Sequence, residues 1–395
     1  MPSLAIHTGR ALTPFADLPD ALILVEDGRI RSIGPRAGAV LPLGTPEIDA
    51  RSLVAVPGFV DVHIHGAAGR DVMEASPQAL AAVAGCVARH GTTAFVATTV
   101  SAGVDETLRS LERLAGSIRG QFAVPGSAGD SRGAAECLGV HLEGPFLNPQ
   151  RRGVHPAERL IPPAPATLAR FLAAAEGFAR ILTLAPELPG AAETMSAAHA
   201  AGLVVAMGHT DATYSEALRA IELGARHAVH VFNAMRPFSH RETGVLGAVL
   251  TDARVTAEVI ADGVHVDDPA LRLLLAAKGA QNILLVSDGT AATGMPDGNY
   301  RLGDFEVSVS SGVCRNREGR IAGSTLTLDR AVRRMVGLGV PLAAAVQMAG
   351  FNPARLLGIE AQKGRLIPGA DADIVLLDDA LNVSRVLARG RPIDA

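Results

Sequence analysis

Histidines and carboxylates stand at the ends of several apolar segments of this chain. In PGFVDVHIHG, residues 57–66, His63 and His65 alternate with Val62 and Ile64. Residues two apart in a strand face the same side, so both imidazoles should point the same way. A buried imidazole needs a partner, and neutral imidazole is a favoured ligand of zinc and iron. On its own, the pair is also compatible with hydrogen-bonded core histidines.

Four further apolar segments carry a possible ligand at or near their ends. These are Glu143 in HLEGP, His209 in MGHTD, His230 in VHVFN and Asp288 in VSDG. With the two histidines they give six donors of the types that bind zinc-class or iron-class divalent ions, in one or two sites. Such a site performs metal-assisted hydrolysis. Asp288 would act as general base and then general acid, as a metal ligand, or as both.

The elements around these residues predict an α/β fold. Eight strand-like segments alternate with alanine- and leucine-rich helical patterns, which favours parallel strands covered by helices in a (β/α)8 TIM barrel. An open doubly wound sheet is the alternative, but the GxGxxG fingerprint expected after its first strand is absent. The predicted strands are 58–65, 92–100, 137–144, 180–187, 203–209, 227–233, 255–263 and 282–289.

Both chain ends depart from this alternation of strands and helices, and their sequences are typical of short strands joined by turns. They predict a small discontinuous β-sandwich domain from residues 1–56 and 357–395, with the barrel at 57–356. A hairpin is expected at 303–323 and a polar loop at 121–136.

Only two lysines occur, Lys278 in a helical pattern and Lys363 in the tail. Neither should reach the site, so a modified lysine is excluded as the metal bridge and Glu143 is the expected bridging carboxylate.

Composition excludes several classes of protein. The 395 residues are 48% hydrophobic and 19% charged, with a formal net charge of −4, which does not indicate a nucleic-acid surface. Neither a signal layout at the N-terminus nor an apolar run long enough for a membrane is recognisable. The three cysteines, Cys86, Cys137 and Cys314, have neither disulfide-framework nor zinc-site spacing. A reducing, cytoplasmic setting is expected.

Six segments together closely resemble the N-acetylglucosamine-6-phosphate deacetylases of the amidohydrolase superfamily. They are PGFVDVHIHG, GVHLEGPFLNPQRRGVHP, MGHTDATYSEA, HVFNAMRPFSHRETG, IADGVHV and LVSDGTAATG. The resemblance covers essentially the whole chain, and the combination of HLEGP, HxFNAM and DGxH is specific. It implies a homodimer that removes acetate from N-acetyl-D-glucosamine 6-phosphate with a divalent metal, zinc or iron.

The resemblance also implies roles for individual residues. Glu143, His209 and His230 would hold the essential metal, with Asp288 as the catalytic acid/base, while His63 and His65 make a second metal site available. Arg241 would reach the phosphate bound by the neighbouring subunit, although Arg236 and His240 are nearby alternatives. The implied substrate contacts are His155, Asn233, Ala234, Arg241 and His265, with the loop residues Ala322, Gly323 and Ser324.

Two other functions compete with this one. An N-acetylgalactosamine-6-phosphate deacetylase or another amidohydrolase of N-acyl substrates would keep the metal ligands and differ in the substrate loops. A catalytically inactive barrel that serves as a binding protein would typically lose ligands or the acid/base residue. All six of these positions are occupied here, which favours an enzyme.

Overall fold

The computed structural model describes residues 4–39, 41, 43–121 and 133–393. Its first four strands are β1 (Leu4–Leu12), β2 (Asp17–Glu26), β3 (Arg29–Pro35) and β4 (Glu47–Pro57). The turn between β2 and β3 is formed by Asp27 and Gly28, both with positive φ, as a two-residue hairpin requires. β1 pairs antiparallel with β2 and parallel with β4.

A barrel of eight parallel strands follows, and a helix covers each connection. The strands are β5 (Phe59–Ile64), β8 (Thr92–Thr98), β9 (Glu136–Glu143), β10 (Ala179–Leu184), β11 (Val204–Met207), β12 (Ala225–Ala228), β13 (Thr256–Val259) and β14 (Ile283–Leu285), and a short ribbon, β6 (Gly66–Ala67) and β7 (Arg70–Asp71), follows β5. The helices are α1 (Pro77–Arg89), α2 (Val104–Gly120), α3 (Pro165–Ala174), α4 (Ala191–Ala200), α5 (Tyr214–Glu222), α6 (Gly244–Thr251), α7 (Asp268–Lys278), α8 (Leu328–Gly337), α9 (Leu342–Ala349) and α10 (Phe351–Leu356). Four single-turn 3₁₀ helices lie at Val72–Glu74, Pro149–Arg151, Ala157–Arg159 and Ala280–Asn282.

The barrel closes between its first strand and the segment that follows its last strand. The N–H of His65 donates to the carbonyl of Gly289 at 2.8 Å, and the N–H of Asp288 donates to the carbonyl of His63 at 2.9 Å. Closure leaves no exposed edge and brings the carboxyl ends of all eight strands to one mouth. Among the described residues, no helix has the length and apolarity needed to cross a membrane.

The remaining strands form two smaller sheets. β15 (Gly298–Leu302), β16 (Phe305–Ser310) and β17 (Val313–Asn316) make an antiparallel sheet between β14 and α8, one strand more than the expected hairpin. β18 (Ile374–Leu377), β19 (Val383–Ala388) and β20 (Arg391–Pro392) join the first four strands in one seven-stranded sheet ordered β20-β19-β18-β4-β1-β2-β3.

The predicted α/β class is therefore confirmed: the chain has a TIM barrel and a β domain made by both chain ends. The strands of the expected sandwich belong to a single sheet with its own apolar core. The domain limits at residues 57 and 356 stay a prediction. Most of the expected polar loop at 121–136, residues 122–132, lies outside the described residues.

A buried ion cluster joins the small sheet to the barrel. Lys363 Nζ lies 2.8 Å from Glu136 at the start of β9, and 2.8 and 2.9 Å from Asp371 and Asp373 just before β18. Burial alone would lower the pKa of Lys363, but the three carboxylates raise it above its usual range. Lys278, the other lysine, donates to the carbonyl of Asp252 at 2.8 Å.

We expect Lys363→Met to lower the free energy of unfolding by about 3–5 kcal/mol, because it leaves buried carboxylates without their cation. Lys278→Met is the matched control and should cost only about 1 kcal/mol, the value of one hydrogen bond. Urea denaturation followed by circular dichroism measures both. Equal losses of stability in the two variants would show that the cluster is not what joins the domains.

Candidate active site

The six predicted ligands converge at the mouth of the barrel, but most of them lie just beyond the strands. His63 lies within β5 and Glu143 is the last residue of β9, whereas His65, His209, His230 and Asp288 follow β5, β11, β12 and β14. The predicted strands 203–209, 227–233 and 282–289 extended too far, because the backbone turns out of the sheet there.

Backbone strain marks three of these turns. His209, His230 and Asp288 have φ values of 47°, 29° and 48°, a region that residues other than glycine rarely adopt. Such conformations persist only where the surroundings enforce them, and they concentrate at functional sites. At Asp288 the N–H donates to His63 and the carbonyl accepts the N–H of Ser324 at 2.7 Å. The barrel closure therefore fixes this carboxylate in the mouth.

Glu143 lies at the centre of a first cluster. Its Oε1 is 3.1 Å from His209 Nε2 and 3.0 Å from His230 Nε2, and these two nitrogens are 3.0 Å apart. Two imidazole nitrogens and a carboxylate oxygen at these separations are a donor set that would hold a zinc-class ion. All three residues line the cavity, so an ion held there would be accessible to a substrate, as in catalytic rather than structural metal sites.

A second cluster lies against the first. His65 Nε2 is 3.2 Å from Asp288 Oδ1 and 3.4 Å from Glu143 Oε2, and His63 Nε2 is 3.4 Å from Glu143 Oε1. His63 Nε2 is buried and has no hydrogen-bond partner among the described residues, and the same holds for His230 Nδ1. The orphaned His63 Nε2 lies beside carboxylates, where a metal ion would satisfy it, whereas His230 faces Glu143 with its other nitrogen, Nε2. Glu143 faces both clusters, as expected of a bridging ligand.

The outer nitrogens of two imidazoles are held by backbone carbonyls. His65 Nδ1–H donates to Thr98 O at 3.0 Å, and His209 Nδ1–H donates to Arg151 O at 3.0 Å. Because the proton sits on Nδ1 in each ring, the lone pair of Nε2 points toward the carboxylates. Partners of this kind orient metal-ligating histidines.

The charges of the buried carboxylates also favour a bound cation. Burial alone would lower the pKa of His65, but Asp288 and Glu143 raise it to about 9, and the pKa of His63 is raised well above its usual range by Glu143 and Glu258. Burial dominates at His209 and lowers its pKa to about 4. Buried carboxylates therefore demand positive charge here, and a divalent ion supplies it without protonating the imidazoles.

His141 takes no direct part in either cluster. Its Nδ1–H donates to Val62 O at 3.0 Å and its Nε2 lies 2.7 Å from Thr183 Oγ1, so both ring nitrogens are satisfied. Burial lowers its pKa to about 3. It packs against the ring of His63 one layer deeper in the barrel.

The cavity above the two clusters contains most of the expected substrate contacts. Its walls include the metal-ligand candidates His65, Glu143, His209, His230 and Asp288, and the predicted contact residues His155, Asn233, Ala234, His265 and Gly323. His155 Nδ1 accepts the backbone N–H of Ser101 at 3.2 Å, so its Nε2 carries the proton. His265 Nδ1–H donates to Asp262 at 2.7 Å.

Three predicted substrate contacts do not line this cavity. Ala322 is fully buried, and the hydroxyl of Ser324 donates to Ser287 O at 2.5 Å behind the wall. Gly323 between them does line it, with φ +56°, and a Cβ there would lie 2.8 Å from the carbonyl of Asp288. Arg241 lies exposed on the loop before α6.

The sequence analysis missed the roles of two groups of residues. Glu258 on β13 is a buried carboxylate bonded to His63 and His227. Its signal was an acidic residue in the middle of the apolar segment VTAEVIADG. The other group holds the His209 loop through Asp211, whose carboxylate accepts from Arg151 at 2.7 Å and from Arg236 at 2.8 Å. No spacing signal identifies that second group, because its members come from three loops.

The chain is similar to known proteins along nearly its whole length. The model of the amidohydrolase family matches residues 54–393. An N-acetylgalactosamine-6-phosphate deacetylase of Escherichia coli O157:H7 is 39% identical over 387 residues, covering 98% of both chains. An N-acetylglucosamine-6-phosphate deacetylase of Lysinibacillus sphaericus is 35% identical over 370 residues, covering 93% of this chain and 92% of the relative.

Solved structures give the same result. The crystal structure of N-acetyl-D-glucosamine-6-phosphate deacetylase from Mycobacterium smegmatis superposes with a TM-score of 0.90 at 36% identity, covering 100% of each chain. A mutant of that enzyme in complex with N-acetyl-D-glucosamine 6-phosphate superposes with a TM-score of 0.91.

We expect zinc to stabilise metal-free protein, because an ion that binds only the folded cluster shifts unfolding by mass action. At a free concentration of 100 times Kd the gain is about 2.7 kcal/mol. Thermal unfolding of chelator-treated protein, with and without added zinc, measures it. In Glu143→Gln, which lacks the carboxylate shared by both clusters, the zinc-dependent shift should largely disappear. A shift of the same size in that variant would place the stabilising ion elsewhere.

Proposed function

Because the chain belongs to the amidohydrolase family, we propose that it hydrolyses the acetamide of N-acetyl-D-glucosamine 6-phosphate, giving D-glucosamine 6-phosphate and acetate. One observation carries the proposal: a single cavity is lined both by metal-ligand candidates, Asp288 among them, and by polar groups suited to a sugar phosphate. The names of its relatives point to the same reaction. The buried, unpaired cysteines are consistent with a cytoplasmic location.

The proposed cofactor is a divalent ion, zinc or iron. Glu143, His209 and His230 would hold the essential ion, and His63, His65 and Asp288 would hold a second one. A bound ion supplies Lewis acidity, which lowers the pKa of water and polarises an amide carbonyl. The donor set of imidazoles and carboxylates fits both metals.

Asp288 is the proposed general base and general acid. Burial alone would raise its pKa, but the hydrogen bond from His65 and the nearby imidazoles keep it below its usual value, so the group starts as a carboxylate. It takes a proton from water as the water oxygen attacks the acetyl carbon. It then delivers this proton to the sugar nitrogen as the carbon–nitrogen bond breaks. The fixed backbone at Asp288 aims the carboxylate for both transfers.

Other side chains of the cavity would orient the substrate. His155 presents an Nε2–H donor 3.4 Å from Glu143 Oε2, where it can donate to an oxygen of the substrate. Asn233 and Ala234 line the same cavity, and His265 offers Nε2 because Asp262 holds its other nitrogen. Ordered donors of this kind position the acetamide and the phosphate without reorganising during the reaction.

Asp288→Asn should lower kcat for acetate release from N-acetyl-D-glucosamine 6-phosphate by about 10²–10⁴, the usual value of a positioned acid/base group. The amide cannot accept the proton of water, although it fills the same space. Acetate is measured with a coupled enzyme at saturating metal, and metal content is checked in parallel. Absence of acetate release from the wild-type protein loaded with zinc or iron would refute the proposed function.

The galacto epimer is a second candidate substrate, because the Escherichia coli relative at 39% identity is named for it. The two substrates differ only at C4, whereas the acetamide that is hydrolysed is attached to C2. The ratio of kcat/KM for N-acetyl-D-galactosamine 6-phosphate and its gluco epimer decides between them. The unphosphorylated sugars serve as controls for the need for phosphate.

We further propose a homodimer in which Arg241 contacts the phosphate bound by the partner subunit. Arg236 is less suited to this role because two of its N–H groups donate to the carbonyl and the carboxylate of Asp211, which hold the guanidinium within its own chain. The Arg241 side chain is exposed and forms no ion pair with any described residue. Phe238, three residues earlier, is 55% exposed, which suits a loop that is covered in an assembly.

Arg241→Gln should raise KM for the phosphorylated substrate about 10- to 100-fold with little change in kcat, because a charge-assisted hydrogen bond is lost. Arg385→Gln, an exposed arginine on β19 in the small sheet, is the matched control.

Mixed dimers test whether Arg241 acts across the interface. We expect a dimer of one Asp288→Asn chain and one Arg241→Gln chain to have one active centre with normal KM. This centre is in the Arg241→Gln chain, which keeps its own Asp288 and receives the phosphate contact from Arg241 of the Asp288→Asn chain. Such recovery would be absent if Arg241 served its own chain.

A further inference from the structure

Glu258 is a buried carboxylate that belongs neither to the six ligand candidates nor to the cavity wall. We propose that Glu258 is a positioning residue for His63, and that it enables this chain to hold a second divalent ion at His63, His65 and Asp288. The proposal rests on the proposed metal-dependent hydrolysis and adds an outer residue to it. Glu258 does not line the substrate cavity. Its carboxylate accepts from the ring of His63 at 2.9 Å and, at 3.4 Å, from the backbone N–H of His230, so the imidazole that it orients among the ligand candidates is that of His63.

The hydrogen bonds of Glu258 determine which nitrogen of His63 carries the proton. Oε2 lies 2.9 Å from His63 Nδ1, and Oε1 lies 2.7 Å from His227 Nε2. A carboxylate only accepts hydrogen bonds, so both of these nitrogens donate. In a neutral imidazole, protonation of Nδ1 leaves the lone pair on Nε2.

That lone pair points to the second cluster. His63 Nε2 is the buried nitrogen without a hydrogen-bond partner among the described residues, and it lies 3.4 Å from Glu143 Oε1 and 3.7 Å from Asp288 Oδ1. The other tautomer would direct an N–H toward the ion and a lone pair toward Glu258. Glu258 therefore selects the tautomer that binds metal, and its charge makes the imidazole a stronger donor.

Glu258 is itself held rigidly. His227 lies between it and Thr256, whose hydroxyl is 2.7 Å from His227 Nδ1. The carbonyl of Glu258 accepts the N–H of Val231 at 2.9 Å, which joins β13 to the segment that carries His230. Behind His63 there is thus a row formed by the Glu258 carboxylate, His227 and Thr256. This row allows the imidazole of His63 only one orientation.

Glu258→Gln tests the role of the charge with little change of shape. The amide oxygen can still accept from His63, and His227 can change tautomer to accept from the amide nitrogen, so the fold should be kept. We expect the Kd for the second zinc ion to rise about 10- to 100-fold, as when outer partners of metal ligands are removed. Metal per chain after dialysis should fall from two toward one. Chelator competition and elemental analysis measure these quantities without reference to turnover.

Glu136→Gln is the matched control, because it makes the same change at the opposite end of the barrel, at the start of β9. It should keep two ions per chain with unchanged affinities. If Glu258→Gln is not recovered folded, Glu258→Asp applies the same test, since the shorter side chain cannot reach both imidazoles.

A double-mutant cycle with His63→Gln distinguishes positioning from a general structural effect. If Glu258 acts through His63, Glu258→Gln should not weaken metal binding further in the His63→Gln background. An equal loss in both backgrounds would overturn the proposal. So would two ions bound by Glu258→Gln with wild-type affinity, or a wild-type protein that takes up only one ion at saturating zinc. Acetate release by the wild type is assayed separately, so failure of the proposed reaction would be recognised independently.

Discussion

Negative charge buried in the mouth of the barrel is the constraint on which the site depends. Glu143, Asp288 and Glu258 are all nearly inaccessible to water, where an unpaired carboxylate would be very costly. Three of the imidazoles around them, those of His63, His65 and His209, are oriented by a carbonyl or a carboxylate behind the ring, so that the other nitrogen faces the charge. The site is thus organised for cations before any cation arrives, and the strained backbone at His209, His230 and Asp288 is part of that organisation.

The sequence predicted the barrel because its strands are buried on both faces. Such strands are nearly continuous apolar runs, and a polar residue at the end of one, such as Glu143 or Asp288, stands out against them. The same contrast identified His63, His65, His209 and His230. The chain ends were predicted to pair because each reads as short strands that cannot form a core alone.

Other features depend on contacts between distant segments and left no local pattern. The strands end earlier than their apolar runs, because left-handed turns at His209 and Asp288 are enforced by neighbouring loops. The carboxylate of Asp211 binds arginines from two other loops, and no periodicity in the sequence predicts these contacts. Glu258 was visible as an acid within an apolar strand, but its significance depends on which imidazoles the closed barrel brings beside it.

The small sheet also has a consequence for the order in which the chain folds. β4 pairs with β18 across about 300 residues, with Pro57 opposite Ile374, so the sheet cannot be completed until the last segment of the chain has been synthesised. Until then the apolar edge of β4 is open, and such edges recruit other chains. The high sequence separation of this pairing should make its docking a late and slow step. In a newly made chain, all barrel segments are therefore present while β4, which leads into the first barrel strand β5, still belongs to an incomplete sheet.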